Sequence, residues 1–440
     1  MNWSLAAYSA LAWAAQPMLK RKLRRRAQAE PGYAQAVPER FGCYSPKDLG
    51  CDGKGQWVWV HAVSLGETRA AALLIKELRI ALPGMRLLLT NGTATGRAEG
   101  SKLLQPGDLQ VWQPWDSRKA VRRFVHQFQP AVGVLMETEV WPNLVMACHQ
   151  AKVPLVLANA RLNTKSQTGA QRWPSLFLPV YRALHAVWAQ TEEDAQRLRS
   201  LGAPVQAVLG NLKFDVQPDS ALGAQGAAWR AASSKPIVIV ASSREGEEAQ
   251  WLAQWVGRKF HGVAGQCQWL IVPRHPQRFD AVHALLEQAG LRVSRRSQWG
   301  DGPPPADVEV WLGDSVGEMP AYYAAADIGL LGGSFEPLGG QNLIEAAACG
   351  CPMVLGPHTF NFAQASQTAC EVGAAFRVLD MEQGVQLATA LARDAEGLAR
   401  ARQAALAFAQ SHRGAAQATA KAIAASVQQV QSDRKEPNNM

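Results

Sequence analysis

The sequence predicts an α/β protein of two doubly wound domains, each a parallel β-sheet with helices on both faces. Short apolar segments typical of buried strands alternate with helical patterns from residue 57 onward, and the same alternation starts again at residue 236. A chain of 440 residues is too long for one ordinary domain. Hydrophobic residues make up 48% of the chain and charged residues 18%, which is enough for two cores and argues against a disordered protein.

Residues 1–30 form a distinct segment that we interpret as a membrane anchor followed by a basic cluster. Residues 1–19 contain no charged side chain, and six of the seven residues at 20–26 are Lys or Arg. A secretory signal has the opposite order, and positive charge after the apolar stretch predicts that the following domains stay in the cytoplasm. The stretch is short for a membrane span, so it fits either a single tilted span or a helix in the interface. An ordinary exposed amphipathic helix is the third alternative.

The amino-terminal domain is predicted to span residues 31–215. Its predicted strands lie at 57–63, 86–90, 131–136, 154–159 and 186–190. Its predicted helices include 67–80, 116–128, 141–151 and 192–201. The alternating pattern then lapses into Gln, Pro, Ser, Gly and Ala, and residues 216–235 are therefore predicted to be a linker.

The carboxy-terminal domain is predicted to span residues 236–428. Its predicted strands lie at 236–241, 268–273, 291–294, 308–312, 328–331 and 353–355. The last part, 382–428, is one long Ala-rich helical pattern, and residues 429–440 are predicted to be disordered. Two doubly wound domains are expected to bind ligands in a cleft at the carboxyl ends of their strands.

Charge and cysteine content exclude several classes of protein. The net charge of +9 comes mostly from the cluster at 20–26, and no nucleic-acid-binding motif occurs, so an anionic membrane surface or an acidic substrate fits better than nucleic acid. The seven cysteines are scattered without a Cys-x-x-Cys pair, which predicts reduced thiols rather than disulfides or structural zinc. His275 and His358 lack a clustered set of His or Asp partners. We therefore predict neither a metal nor a cofactor.

A glycine-rich segment at 332–361 follows the predicted strand at 328–331 and reads as strand, loop, helix and strand. Its glycines allow a backbone to approach a ligand closely, and a helix starting near Gln341 would direct free N–H groups toward an anion. Glu345, in the first turn of that helix, could accept hydrogen bonds from hydroxyl groups. This combination suits a nucleotide, with phosphate on the amides and ribose on the acid. The alternative is a tight packing turn without a ligand.

Three segments of the amino-terminal half contain candidates for catalysis. Glu67 follows a strand and opens a helix, where it could deprotonate an attacking hydroxyl or simply complete a Ser64-x-x-Glu67 capping box. Glu137 and Glu139 follow an apolar strand, and one of them could line the cleft; the alternative is an acidic helix start. Lys213 could reach a phosphate or a carboxylate, or it could be a solvated linker lysine.

Two strand-end loops of the carboxy-terminal half could hold the rest of a nucleotide. Arg274 follows a strand and is well placed for a phosphate, and Gly317-Glu318-Met319 precedes a helix and could bind a base through its backbone. No GxGxxG, Walker or GxSxG motif occurs, which weakens dehydrogenase, NTPase and hydrolase assignments.

Taken together, these segments resemble the 3-deoxy-D-manno-octulosonic acid (Kdo) transferases of lipopolysaccharide assembly. The resemblance extends over residues 57 to 362, in the order found in the family, and includes the amino-terminal apolar and basic segment. The motifs that carry it are HAVSLGET, METEVWPNL, NARLN, GNLKFD, ASSREGEE, PRHPQRF, DSVGEM, GGSF with GGQNLIE, and LGPHTFNF.

The resemblance implies a metal-independent, inverting glycosyltransferase of the GT-B fold, with two Rossmann-like domains facing a cleft and a membrane-associated amino-terminal helix. It implies CMP-Kdo as donor, a lipid A precursor as acceptor, and a position on the cytoplasmic side of the inner membrane. Glu67 would be the general base, and Glu137 and Lys213 would stabilise the transition state. The residues that match CMP-contacting positions are Pro273, Arg274, Gly317, Glu318, Met319, Asn342, Leu343, Ile344 and Glu345.

Two alternatives stay open at this point. One is another GT-B enzyme that uses a UDP-sugar, such as a lipid A disaccharide synthase or a UDP-sugar epimerase, and the other is a non-catalytic, membrane-attached nucleotide sensor. The chain also departs from the family at Gln341 and Arg244, where the family usually has His. A role that depends on imidazole titration is therefore not expected at either position.

Overall fold

The structure, a computed structural model, describes residues 3–45, 57–256, 264–300, 302 and 304–435. The chain divides into two compact units. The first unit comprises Met1–Asp215 and Arg413–Met440, and the second unit comprises Val216–His412.

The first unit contains a parallel sheet with the strand order β3-β2-β1-β4-β5-β6-β7. The strands are β1 (Trp57–His61), β2 (Arg86–Asn91), β3 (Leu109–Trp112), β4 (Val132–Met136), β5 (Leu155–Ala160), β6 (Ala186–Ala189) and β7 (Val205–Val208). The helices are α1 (Trp3–Ala14), α2 (Gln16–Ala29), α3 (Leu65–Ala81), α4 (Ala94–Gly100), α5 (Arg118–Phe128), α6 (Pro142–Gln150), α7 (Thr164–Gln171), α8 (Pro174–Arg182) and α9 (Glu192–Ser200).

Both faces of this sheet are buried, which explains why its central strands are mostly apolar, with polar residues near their carboxyl ends. In β1, Trp57 and Trp59 contribute to one hydrophobic core and Val58 and Val60 to the other, because alternate side chains of a strand point to opposite faces. Helices α5, α6 and α9 supply residues to the first core, and α3 supplies residues to the second.

The second unit repeats this architecture with the strand order β10-β11-β9-β8-β12-β13-β14. The strands are β8 (Ile237–Ser243), β9 (Gln268–Pro273), β10 (Val293–Arg295), β11 (Val310–Leu312), β12 (Ile328–Leu331), β13 (Met353–Leu355) and β14 (Ala375–Arg377). The helices are α10 (Ser220–Ala232), α11 (Glu247–Val256), α12 (Phe279–Gln288), α13 (Met319–Ala325), α14 (Leu343–Ala348), α15 (Ala363–Glu371), α16 (Met381–Arg393) and α17 (Ala395–Ser411). The two Rossmann-like, doubly wound sheets confirm the predicted fold class.

The chain then returns to the first unit as helix α18 (Ala415–Lys435), which corrects the predicted domain limits. The pattern at 382–428 is three helices rather than one, and the last of them packs on α3. Its small and β-branched residues, among them Ala420 and Ile423, belong to a core of the first unit. The helix also continues to Lys435, so the predicted disordered tail is corrected for 429–435, and residues 436–440 lie outside the described residues.

The predicted linker at 216–235 is also corrected, because α10 belongs to the second unit. Asp219 caps this helix, and Trp229 is buried. Gly226 lies so close to α13 that an added Cβ would be 2.0 Å from the carbonyl oxygen of Ala321. The Gly- and Ala-rich composition that resembles a linker is thus the composition of a close helix–helix contact.

The predicted anchor segment forms α1 and α2. Helix α1 is attached to the first unit by hydrogen bonds from Tyr8 to Asp116, at 2.9 Å, and from Ser9 to Asn143, at 2.7 Å. Within the described part of the chain, no helix combines the length and the apolar character needed to cross a membrane.

Candidate functional site

The loops that follow β1 and β4 lie where the strand order of the first sheet reverses. β1 pairs with β2 on one side and with β4 on the other. Doubly wound sheets bind ligands at the carboxyl ends of the strands at such a reversal. Glu67 follows β1 and Glu137 follows β4, so both predicted carboxylates belong to this edge of the sheet.

Glu67 lies in the first turn of α3, and its carboxylate is bound to the loop that precedes the helix. Oε2 accepts a hydrogen bond from the backbone N–H of Val63 at 2.8 Å, and Oε1 accepts one from the Ser64 hydroxyl at 2.9 Å. Ser64 Oγ accepts a hydrogen bond from the N–H of Glu67, which is one half of the predicted capping box; the carboxylate bonds Val63 N–H and the Ser64 hydroxyl in place of the Ser64 N–H.

These hydrogen bonds are compatible with a role of Glu67 as a general base. Burial raises the pKa of Glu67, the Val63 N–H opposes the increase, and the charge of Glu137 adds to it. A carboxylate with a raised pKa is a better proton acceptor. Each of its oxygens also keeps a lone pair beyond the one used in the cap.

Glu137 is buried at the end of β4 between two cations. Arg161 Nε lies 2.8 Å from Oε2, and Lys213 Nζ lies 3.3 Å from Oε1. The backbone of Glu137 has φ = +54°, a left-handed conformation that costs a non-glycine residue about 1–2 kcal/mol. The structure thus brings Glu137 and Lys213 together and adds Arg161, which the sequence analysis did not single out. Its position directly after β5 was the available signal.

A further acid, Glu139, belongs to the same edge. Its Oε2 accepts a hydrogen bond from Trp141 Nε1 at 2.8 Å and lies 4.0 Å from His61 Nε2. Burial raises the pKa of Glu139 to about 7, and the charges of Glu67 and Glu137 add to the increase. Burial lowers the pKa of His61 to about 4, so this imidazole is neutral at pH 7. The sequence marked Glu139 with Glu137 as one of two acids that could line the cleft, and it assigned no role to His61.

In the second unit, a buried carboxylate joins the two loops at the equivalent reversal, between β8 and β12. Glu247 Oε2 accepts hydrogen bonds from the N–H groups of Arg244 and Gly333, both at 2.8 Å, and Oε1 accepts one from Phe335 N–H at 3.1 Å. An added Cβ on Gly332 would lie 2.1 Å from the carbonyl oxygen of Ser242, so the two backbones touch. Sequence reasoning missed Glu247, since its motif resembled a simple helix start.

Arg274 follows β9 and lies beside the glycine-rich segment. Its Nε donates a hydrogen bond to Gln341 Oε1 at 3.1 Å, so Gln341 orients this arginine. Asn342 caps α14 by accepting a hydrogen bond from Ile344 N–H at 3.1 Å. The helix starts at Leu343, close to the predicted start near Gln341, but it has only six residues, which weakens its macrodipole as an anion site.

The other residues predicted to contact CMP differ in what they expose. Gly317 is exposed at φ = +93°, and Glu318 is held by Arg296 at 2.8 Å and by the Ser315 hydroxyl. Pro273 ends β9 and is buried. Leu343 and Ile344 are also buried, whereas Met319 and Glu345 are half-buried. Leu343 and Ile344 can therefore offer a ligand little besides their backbones.

The two edges differ in chemistry. The first unit offers carboxylates and cations for proton transfer and charge stabilisation, and the second offers a close-packed glycine loop with an exposed arginine suited to a phosphate. Among the described residues, no group of three or more His, Cys, Asp or Glu side chains is placed to hold a metal ion. Metal independence itself stays a prediction.

Comparison with known proteins identifies the family. Residues 35–216 match the family model described as 3-deoxy-D-manno-octulosonic-acid transferase. The 3-deoxy-D-manno-octulosonic acid transferase of Bordetella pertussis is 43% identical over 89% of this chain and 91% of its own length. That of Haemophilus influenzae is 30% identical over 83% of this chain and 85% of its own.

A solved structure supports the fold. A glycosyltransferase from Rickettsia africae has a TM-score of 0.56 and 13% identity, and the alignment covers 85% of this chain and 99% of the other. At this identity the likeness concerns the fold alone, which is GT-B. Because relatives at 43% and 30% identity match over most of their length, the chain belongs to the Kdo transferase family and is a glycosyltransferase.

Proposed function

We propose that the protein transfers Kdo from CMP-Kdo to a lipid A precursor (lipid IVA), with inversion at the anomeric carbon and Glu67 as general base. The observation that carries the proposal is the half-buried Glu67, with its raised pKa, at the strand reversal that also holds Glu137. Proton abstraction by a positioned side chain contributes about 10²–10⁴-fold in rate.

In the proposed reaction, an acceptor hydroxyl oxygen attacks the anomeric carbon of Kdo while the bond from that carbon to the CMP phosphate breaks. Glu67 takes the hydroxyl proton, and CMP leaves with the bonding electron pair. The sugar carries partial positive charge in an oxocarbenium-like transition state, which the carboxylate of Glu137 stabilises. Lys213 and Arg274 stabilise the negative charge that develops on the departing phosphate.

The donor is proposed to bind to the second unit at Pro273, Arg274, the 317–319 loop and the 342–345 segment. Gly317 and the backbone of Leu343 suit contacts to a base and a ribose, since their main-chain groups need no side chain to reach a ligand. Arg274 provides the charged contact, oriented by Gln341.

We also propose attachment to the cytoplasmic face of the inner membrane through α1 and α2. Trp3, Leu11 and Trp13 are more than 70% exposed on α1. The basic residues at 20–26 follow them on α2. Exposed aromatic and aliphatic groups beside Lys and Arg favour the interface of an anionic membrane, where a lipid acceptor is found.

The test compares two substitutions at Glu67, since its carboxylate also holds the loop that precedes α3. Gln keeps an oxygen for Val63 N–H but cannot accept a proton, whereas Ala also removes the hydrogen bonds from Val63 N–H and the Ser64 hydroxyl, at a cost of about 1.5–3 kcal/mol for each hydrogen bond to a charged group. Incubation with CMP-Kdo and tetraacylated lipid A precursor, followed by mass spectrometry, measures transfer. We expect Glu67→Gln to melt near the wild-type temperature and lose about 10²–10⁴-fold in kcat, with CMP binding retained.

Other outcomes separate the alternatives. Near-normal turnover by a folded Glu67→Gln variant would remove the general-base assignment. Turnover of a UDP-sugar in place of CMP-Kdo would indicate the UDP-sugar alternative. Binding of CMP without release of CMP from donor and acceptor would indicate a sensor.

A further inference from the structure

A groove of about 480 Å³ lies between α2 and the segment at 31–43. Its apolar lining includes Leu23, Tyr33, Val37 and Phe41, and its charged lining is Lys20 and Arg24. None of the described residues that line it is acidic. We propose that this groove binds an acyl chain of the lipid acceptor, an inference that rests on the proposed function.

The chemistry of the groove matches an acyl chain with an anionic head. Leu23 and Tyr33 are buried and form an apolar floor. The ammonium of Lys20 lies 4.7 Å from the ring centroid of Phe41, so a cation stands directly beside the apolar surface. An apolar channel with only positive charge at its rim favours a lipid whose head carries phosphate over a neutral or cationic one.

Contacts link the groove to the edge of the first sheet that bears Glu67. Tyr33 stacks on Trp112, the last residue of β3, with the ring planes 7° from parallel. Arg40, in the turn segment that forms the groove wall, donates a hydrogen bond to the carbonyl oxygen of Gly92 at 3.2 Å. Gly92 N–H in turn donates to the carbonyl oxygen of Val63 at 3.1 Å.

This chain of contacts ends at the proposed base, because Val63 N–H donates to Glu67 Oε2 at 2.8 Å. The groove wall and Glu67 are therefore fixed to the same loops, at the carboxyl ends of β1, β2 and β3. An acyl chain held in the groove places the head group of its lipid at the edge of the sheet that bears Glu67. The groove thus acts as a subsite that positions the acceptor.

The first experiment measures binding without turnover. Octyl, decyl and dodecyl phosphate, below their micellar concentrations, are titrated calorimetrically into the full-length protein. Each added methylene that enters the groove should tighten binding about fourfold, and dodecyl maltoside, with a neutral head, should bind more weakly than dodecyl phosphate. Affinity that does not depend on chain length would overturn the proposal.

The second experiment fills the groove. Ala27 and Ala34 line its two walls, and Ala29, exposed at the end of α2, is the matched control. We expect Ala27→Trp and Ala34→Trp each to weaken dodecyl phosphate binding at least about tenfold, since a filled groove excludes several methylenes. They should raise KM for the lipid acceptor and leave KM for CMP-Kdo and the melting temperature unchanged. Ala29→Trp should change none of these.

The readouts distinguish the possible failures. A wild-type protein that transfers no Kdo refutes the proposed function, and the chain-length series still decides whether the groove binds an acyl chain. Unchanged acceptor KM in both groove-filled variants, with weaker binding to phospholipid vesicles, would mean that a bulk membrane lipid occupies the groove and would overturn the assignment. Two variants from opposite walls guard against a single misfolded one.

Discussion

Substitution of Glu247 tests how the second unit holds together the loops that follow β8 and β12. Its buried carboxylate accepts hydrogen bonds from the backbone N–H groups of Arg244, Gly333 and Phe335. In Glu247→Gln the amide oxygen can replace Oε2, which accepts two of them, but the NH₂ group then faces the N–H of Phe335. One buried donor loses its acceptor and meets another donor.

The expected magnitude follows from those contacts. A buried donor without an acceptor costs about 1–3 kcal/mol, so Glu247→Gln should destabilise the second unit by about that amount. Glu247→Ala leaves all of these donors without an acceptor and should therefore cost more, about 3 kcal/mol or above. Because the glycine loop is held by these bonds, Glu247→Gln should also weaken CMP binding by about tenfold, equivalent to about 1.4 kcal/mol.

The assay pairs denaturant unfolding of the full-length protein with calorimetric titration of CMP. Glu245→Gln is the matched control, because Glu245 lies in the same loop but is exposed, and surface ion pairs contribute about 0–1 kcal/mol. Wild-type stability and wild-type CMP affinity in Glu247→Gln would refute the reasoning. A loss of stability with normal CMP affinity would leave Glu247 a structural residue only.

Three further predictions concern other parts of the molecule. The pKa of Glu139 is about 7 in the folded protein and about 4.5 in the unfolded chain, so its contribution to stability falls as the pH rises through that range. Its ionisation should also produce an inflection near pH 7 in kcat/KM that disappears in Glu139→Gln. In α10, Gly226→Ala should destabilise by about 1–3 kcal/mol through its clash with α13, whereas Gly223→Ala, with open space around it, should stabilise by about 0.5–1 kcal/mol in thermal denaturation. A chain ending at residue 412 lacks α18 and should lose a folded first unit under limited proteolysis, while one ending at 435 should resist as the full chain does.

The sequence predicted the central strands of both sheets and one edge strand, β10, but missed the other three edge strands. β3, β7 and β14 are edge strands of three or four residues with partly exposed side chains, and none was predicted. An edge strand has one neighbour and packs less of its surface, so its residues need not form the apolar run that marks a buried strand. The strands that lead into the candidate site are central and were therefore predicted.

The candidate site was predicted residue by residue but not as a set of contacts. The position of Glu67 at a strand-to-helix junction, and its partner Ser64 in the capping box, are local features that the sequence carries within four residues. The pairing of Glu137 with Lys213 joins residues far apart in the chain, and so does the link from Glu247 to Gly333. Neither contact has a signature in spacing.

The sequence by itself determined the two parallel sheets, the loops at their strand ends and the family, because periodicity and short motifs are properties of neighbouring residues. Only the tertiary structure decided the strand order, which places Glu67 and Glu137 at one reversal, the carboxylate that joins two loops of the second unit, and the return of α18 to the first unit. These depend on which distant surfaces bury each other. That choice is made by the packing of the whole chain, and a local pattern of apolar and polar residues fits more than one such packing.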